Sequence, residues 1–270
     1  MKTKISIYFI CLAFLSIFFI SCDSNDPEPV SELDNYTILA EQQIPGTTLT
    51  AKIYQENDSL FVGYNRLEIV LTKAGVKGDY TDAEIVLKPM MDMGTMKHAC
   101  PIENPVAGKN IEGVFGGAVV FVMPSGDMGS WMLTIEVKDD ETEESGKLDL
   151  PVIIKMPEES RMKSFSMGTD KYFVSYVQPS EPLVGINDFE VTVHKKATMM
   201  EWPASGDFTI SMEPEMPDMG HGSPNNVNPV LTADGHYKGK VNFTMDGYWK
   251  INLALTIGDQ TQAIDFDVTF

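Results

Sequence analysis

Cysteine is nearly missing from this chain. It has three in 270 residues. Cys11 falls inside an N-terminal apolar run and Cys22 directly follows it, so the remainder holds Cys100 alone. One thiol cannot form an internal disulfide. Histidine is scarce too, at four, and basic residues number 20 against 39 acidic ones. Removing Lys2 and Lys4 with an N-terminal signal would leave 18 against 39. Such a field repels nucleic acid and anionic lipid and favours cations and solubility. No stretch has a helical apolar period. There is no Gly-x-Ser-x-Gly, no phosphate-cradling glycine loop and no His-Glu-x-x-His, so the chain reads as a non-enzyme.

The one long apolar run is Ile5 to Ile20, preceded by Lys2 and Lys4 and followed by Ser21 and Cys22. That order predicts a secretory signal over residues 1–21; a membrane span is the alternative reading of the same run. Phe19-Ile20-Ser21-Cys22 resembles a bacterial lipobox, with Phe19 where Leu is usual, which implies that Cys22 is acylated. Residues 22–35 are acidic and contain proline, and they predict a disordered tether between lipid and domain. An acidic segment after the lipidated cysteine resembles the surface-export signal of Bacteroidetes lipoproteins. The expected location is the cell envelope, as an outer-membrane lipoprotein facing the surface or the periplasm.

What is abundant is repetition. Asn65 to Lys73 (NRLEIVLTK) precedes AEIVLKPMMDMG, then ENPV, EGVFGGAVVFVM and SWMLTIEV. Asn187 to Lys195 (NDFEVTVHK) precedes DFTISMEPEMPDMG, then VNPV, DGHYKGKVNFTM and YWKINLAL. Five blocks recur in one order. Within them apolar and polar residues alternate, Phe208, Ile210 and Met212 pointing one way while Thr209 and Ser211 point the other. The reading is all-β: two tandem immunoglobulin-like sandwiches, at 36–156 and 164–270, joined by a linker at 157–163. Trp131 and Trp249 should be equivalent, each just after a hairpin.

The segment DGHYKGKVNFTMDGYWKINLAL and the loop before it resemble the YtkA-like family of small exported β-sandwich domains, relatives of proteins encoded with cytochrome oxidase and copper-handling genes. Gly235 and Tyr237, Gly247 and Trp249, and the upstream Met216 to His221 carry the resemblance. The first half departs from it, with Phe115 for the tyrosine, Ser130 before Trp131, and His98 further from Met93. The resemblance implies a copper-associated accessory protein.

Two stretches hold the candidate ligands. Met216, Met219, His221 and His236 lie on Pro- and Gly-rich sequence and are expected at one end of the second sandwich. Met90, Met93, Met96, His98 and Cys100 cluster in the first. Thioether, imidazole and thiolate together suit Cu(I). Each also has a plain reading: methionine as a lid over a sandwich end, histidine as an exposed turn residue, Cys100 as a small buried hydrophobe. His194, Met199, Met200, Met123 and Met245 are placed at the other end by strand counting. Zinc and calcium suit the spacings less well. The expected function is a membrane-anchored lipoprotein that buffers Cu(I) or delivers it to a copper-transport or oxidase-assembly partner, with a metal-free adaptor as the alternative. If Cys22 is the anchor, Cys22→Ser releases the protein from membranes. Fractionation with membranes as complete as the parent's would refute it.

Overall fold

The computed structural model describes residues 32–270, so the expected signal, Cys22 and most of the tether lie outside the described residues. All the regular elements described are strands. The first half contributes β1 (Thr37–Gln43), β2 (Leu49–Gln55), β3 (Gly63–Lys73), β4 (Ala83–Asp92) and β5 (Lys97–His98), then β6 (Ile102–Ala107), β7 (Phe115–Phe121), β8 (Ser130–Asp139) and β9 (Ser145–Val152). The second contributes β10 (Met162–Met167), β11 (Asp170–Gln178), β12 (Gly185–Lys196), β13 (Thr209–Met216) and β14 (His221–Gly222), then β15 (Val227–Ala233), β16 (His236–Phe243), β17 (Tyr248–Ile257) and β18 (Gln260–Thr269).

Each half folds as a two-sheet sandwich, and the two halves share one topology. The first has sheets β1-β2-β3-β7-β6 and β5-β4-β8-β9; the second has β10-β11-β12-β16-β15 and β14-β13-β17-β18. Inward positions follow the alternation seen in the sequence. Trp131, Leu133, Ile135 and Val137 of β8 are buried, as are Trp249, Ile251, Leu253 and Leu255 of β17. Phe208, Ile210 and Met212 join the second core. Each such side chain contributes about 1.5–3 kcal/mol by leaving water.

The repeated blocks explain how each sandwich is closed. Asn104 and Asn228 open the two Asn-Pro-Val runs. The strand register slips between Glu103 and Val106, and again between Val227 and Val230, so both runs are β-bulges. Each bulge lies over a glycine of the neighbouring strand. A Cβ on Gly117 would come within 2.7 Å of the Glu103 carbonyl oxygen, and one on Gly239 would meet that of Val227. The asparagine then reaches the other sheet, where Asn104 Oδ1 accepts from Leu87 N at 3.0 Å and Asn228 Oδ1 from Met212 N at 2.9 Å. A second repeated pair of roles falls to Asn65 and Asn187, which close the loops before β3 and β12. Asn65 Nδ2 donates to the Phe61 and Gly63 carbonyls, and Asn187 Nδ2 to those of Leu183 and Gly185.

Strand β9 ends at Val152 and β10 begins at Met162, so the segment read as linker, 157–163, runs two residues into a strand. Despite their separate cores, the two sandwiches fall within one compact unit, Glu32–Phe270. Tyr64, Ala118 and Val120 of the first pack with Met162 and Val177 of the second.

Asn104→Ala and Asn228→Ala should each destabilise by about 1–3 kcal/mol through the amide left without its acceptor. Amide exchange at Leu87 and Met212 should accelerate in the matching variant only. Unchanged exchange at both positions would show that the asparagines do not hold the sheets together.

Candidate metal centre

A corner of the first sandwich assembles around His98. Strand β5 is two residues long, and it sets His98 opposite Met91, which in turn faces Trp131 across the β4–β8 ladder. The imidazole meets the Trp131 ring edge-on, centroids 5.2 Å apart at 87°. Trp131 Nε1 donates to the Met123 carbonyl at 2.9 Å, which brings the end of β7 to the same corner. His98 is only 3% exposed. Its Nδ1 lies 2.8 Å from the Ala99 carbonyl oxygen, and since a carbonyl can only accept, Nδ1 carries the proton. In the neutral ring the lone pair then sits on Nε2, the arrangement usual for a metal-binding histidine. Nε2 is buried and has no hydrogen-bond partner. Leaving such an atom unpaired costs about 1–3 kcal/mol.

Above this corner an open cleft of about 390 Å³ lies between the sandwiches. The first sandwich lines it with Met93, Met96, His98 and Met123, and the second with Met162, Phe173, Met199 and Trp202. Ala99 N donates to the Met199 carbonyl at 2.9 Å and ties the two walls together. Five thioethers and one imidazole thus line a single space, although the donors come from four separate stretches of chain. Lys171 and Lys196, also in the lining, lie over the Phe173 and Trp202 rings. Among the described residues no three His, Cys, Asp or Glu side chains converge as a metal cage. A metal held here would therefore rest on sulfur donors, which suit a soft ion better than zinc or calcium.

His236 has a different role from the one expected of it. Its Nε2 lies 2.6 Å from Glu103 Oε1 of the first sandwich and its Nδ1 2.5 Å from Glu190 Oε1 of its own. With both nitrogens donating, no lone pair remains for a metal. Burial opposes the charge on this ring, but hydrogen bonds and charge from the two carboxylates outweigh it and raise the pKa to about 9. Burial likewise pushes Glu103 up, and His236 and Lys109 overcome it to hold Glu103 at about 2. Glu190 is lowered against burial by His236 and Lys238. Tyr64 completes the cluster, donating to Glu103 Oε2 at 3.1 Å and meeting the His236 ring edge-on.

Of the residues singled out in the sequence, the structure brings Met93, Met96 and His98 together. Met90 lies on the outward side of β4, out of step with buried Met91, and Cys100 is sealed in the first core, where burial pushes its thiol well above the ordinary value. Met216 is core, 5% exposed, whereas Met219 is 62% exposed in the turn beyond it and His221 is half-buried on β14. His236 lies away from all three. The stretch read as one loop contains β15, which carries the chain back along the sandwich. His236 therefore starts β16 about 23 Å from the Phe243 end that packs on Trp249. Strand counting also misplaced Met123 and Met245: β8 and β17 begin where β4 and β13 end, so the preceding hairpins belong at the same corners. Met162 and Met199 reach the cavity from the other sandwich, and only the proline, charge and methionine of their own local sequence were visible beforehand.

Part of the second sandwich is similar to the YtkA-like family. The family's model matches residues 166–254, a span that includes Met216, Met219, His221 and Trp249, while the first sandwich lies outside the match. The matched span supplies Phe173, Met199 and Trp202 to the cavity. No match was found among curated proteins. Among solved structures the chain is similar to domains 5–6 of the S-layer protein SbsC, at 13% identity over 87% of this chain and 99% of that one, with a TM-score of 0.29. It is also similar to a conserved domain protein from Bacillus anthracis (9% identity, 86% and 90% covered, TM-score 0.34). A chimeric titin Z1Z2 tandem is a third (10% identity, 87% and 98% covered, TM-score 0.21).

The ion cluster makes the joint between the sandwiches depend on pH. His236 has a raised pKa, so its contribution is complete below its ordinary 6.5 and disappears as pH climbs through about 9. Glu103 has a lowered one, so its contribution is complete above 4.5 and disappears as pH falls through about 2. The joint should be strongest between pH 4.5 and 6.5. Thermal unfolding across pH should show this, and His236→Gln should flatten the alkaline limb. A parent limb already flat between pH 7 and 9.5 would contradict the assignment.

Proposed function

We propose that this protein is an exported lipoprotein, anchored through Cys22, that binds Cu(I) in the cavity between its sandwiches and passes it to a partner in the cell envelope. The observation that carries the reading is His98, whose buried Nε2 has no hydrogen-bond partner and which lines one space with Met93, Met96, Met123, Met162 and Met199. Thioether and neutral imidazole are donors that Cu(I) accepts and harder ions take poorly. The residues fit the ion. His98 is pre-oriented by Ala99 and Trp131, and the methionines are flexible enough to close around a metal. Cu(I) would supply only Lewis acidity toward these soft donors, and the chain's part would be to hold it. The YtkA-like match and the resemblance to copper-associated proteins support the same reading.

Met93→Leu with Met123→Leu keeps volume and apolarity, so apo stability should move by less than about 1.5 kcal/mol. Cu(I) affinity, measured by competition with a chromogenic chelator under reducing conditions, should fall about tenfold or more. If the parent protein takes up no Cu(I), the reading fails and a metal-free adaptor replaces it.

A further inference from the structure

We propose that the cleft between the sandwiches binds a small anionic amphiphile, with its apolar body against the methionines and its anionic head on Lys171 and Lys196. This site goes beyond the copper reading and does not rest on it. Lys171 of β11 and Lys196 of β12 stand directly opposite one another in the antiparallel ladder, so both side chains leave the same face of the sheet. Like charges in that position repel. On the other face Lys195 is matched by Asp170 at 2.6 Å. The contacts of Lys171 and Lys196 among the described residues are with rings instead of carboxylates: Lys171 Nζ lies 5.2 Å from the Phe173 centroid and Lys196 Nζ 5.4 Å from that of Trp202. In a chain with 39 acidic residues against 20 basic ones, two adjacent cations without a carboxylate leave room for an anion from outside the chain.

The rest of the lining determines what that anion is attached to. Thioethers from both sandwiches and the Phe173 and Trp202 rings, which meet edge to face with centroids 5.0 Å apart, make the wall apolar. A space of about 390 Å³ with a mostly apolar wall and a few polar groups is the usual form of a small-molecule site. Lys171 is exposed and Lys196 half-buried, which puts the head at the mouth and the body inside. Trp202 Nε1 is buried with no hydrogen-bond partner. An N–H donor in the very ring that Lys196 covers suits the oxygens of an anionic head. A free inorganic anion would leave the apolar wall in water, and an uncharged apolar molecule would leave the two lysines opposed. A bound anion would also offset the charge that both ammonium groups hold against any cation in the same cleft.

Calorimetric titration of the copper-free protein with decanoate, kept below its micelle concentration, tests the site, with acetate and 1-decanol as probes of the head and the body alone. Decanoate should saturate a single site and bind at least about tenfold more tightly than either. Lys171→Gln with Lys196→Gln should weaken decanoate binding by at least about tenfold and leave that of 1-decanol and the circular dichroism spectrum unchanged. Lys171→Arg with Lys196→Arg keeps both charges and should bind decanoate as the parent does. A parent without saturable decanoate binding would overturn the proposal. So would parental decanoate affinity in the glutamine variant, or a parent that holds 1-decanol as tightly as decanoate. Copper is absent throughout, so these outcomes leave the metal reading untouched; its own failure is seen in Cu(I) uptake.

Discussion

An imidazole held between two carboxylates, one from each sandwich, is the contact on which the cavity depends. Neither sandwich holds the donor set by itself, since Met93, Met96, His98 and Met123 sit on one and Met162 and Met199 on the other. Only a fixed joint gives them a common space. The cluster of Glu103, His236 and Glu190 supplies that joint because each charge is nearly buried and each has a partner. A buried charge that loses its partner is strongly unfavourable, so the sandwiches are penalised for parting. The specificity of the pose comes from this polar contact; the area beside it, around Tyr64, Ala118 and Val120, is small and apolar.

Much of the fold was legible in the sequence because its signals are local. Alternation in runs such as Phe208 to Met212 shows which side of a strand faces the core, and five recurring blocks show that the halves share a topology. The recurrence also has a mechanical reason: Asn104 and Asn228 stitch sheet to sheet, and Gly117 and Gly239 leave room for the bulges that carry them. What could not be read was β15. Val227–Ala233 has Pro229 in it and buries one residue in seven, so it lacks the period that marks a strand, and its length along the sandwich was missed. That single element moved His236 from a ligand set to the joint.

The donor set was half legible for a similar reason. Met93, Met96 and His98 lie within six residues and can be seen as a cluster in any reading of the chain. Met162 and Met199 become neighbours of that cluster only through docking of the two sandwiches, a relation with no trace in local spacing. Matching the two Met-x-Asp-Met-Gly runs pairs Met90 with Met216 and is displaced by one residue, because β4 pairs with β5 one residue beyond Met91 whereas β13 ends at Met216. In the ladder it is Met91 that corresponds to Met216, as each is buried and faces a histidine.

The bulges have a consequence for crowding. Strands β6 and β15 are the outermost members of their sheets, where a row of open backbone groups would otherwise invite a second molecule to add a strand. Pro105 and Pro229 have no N–H to offer, and the slipped register beside them bends the border away from a straight ladder. Copies concentrated on one surface can therefore touch side by side without zipping into a shared sheet.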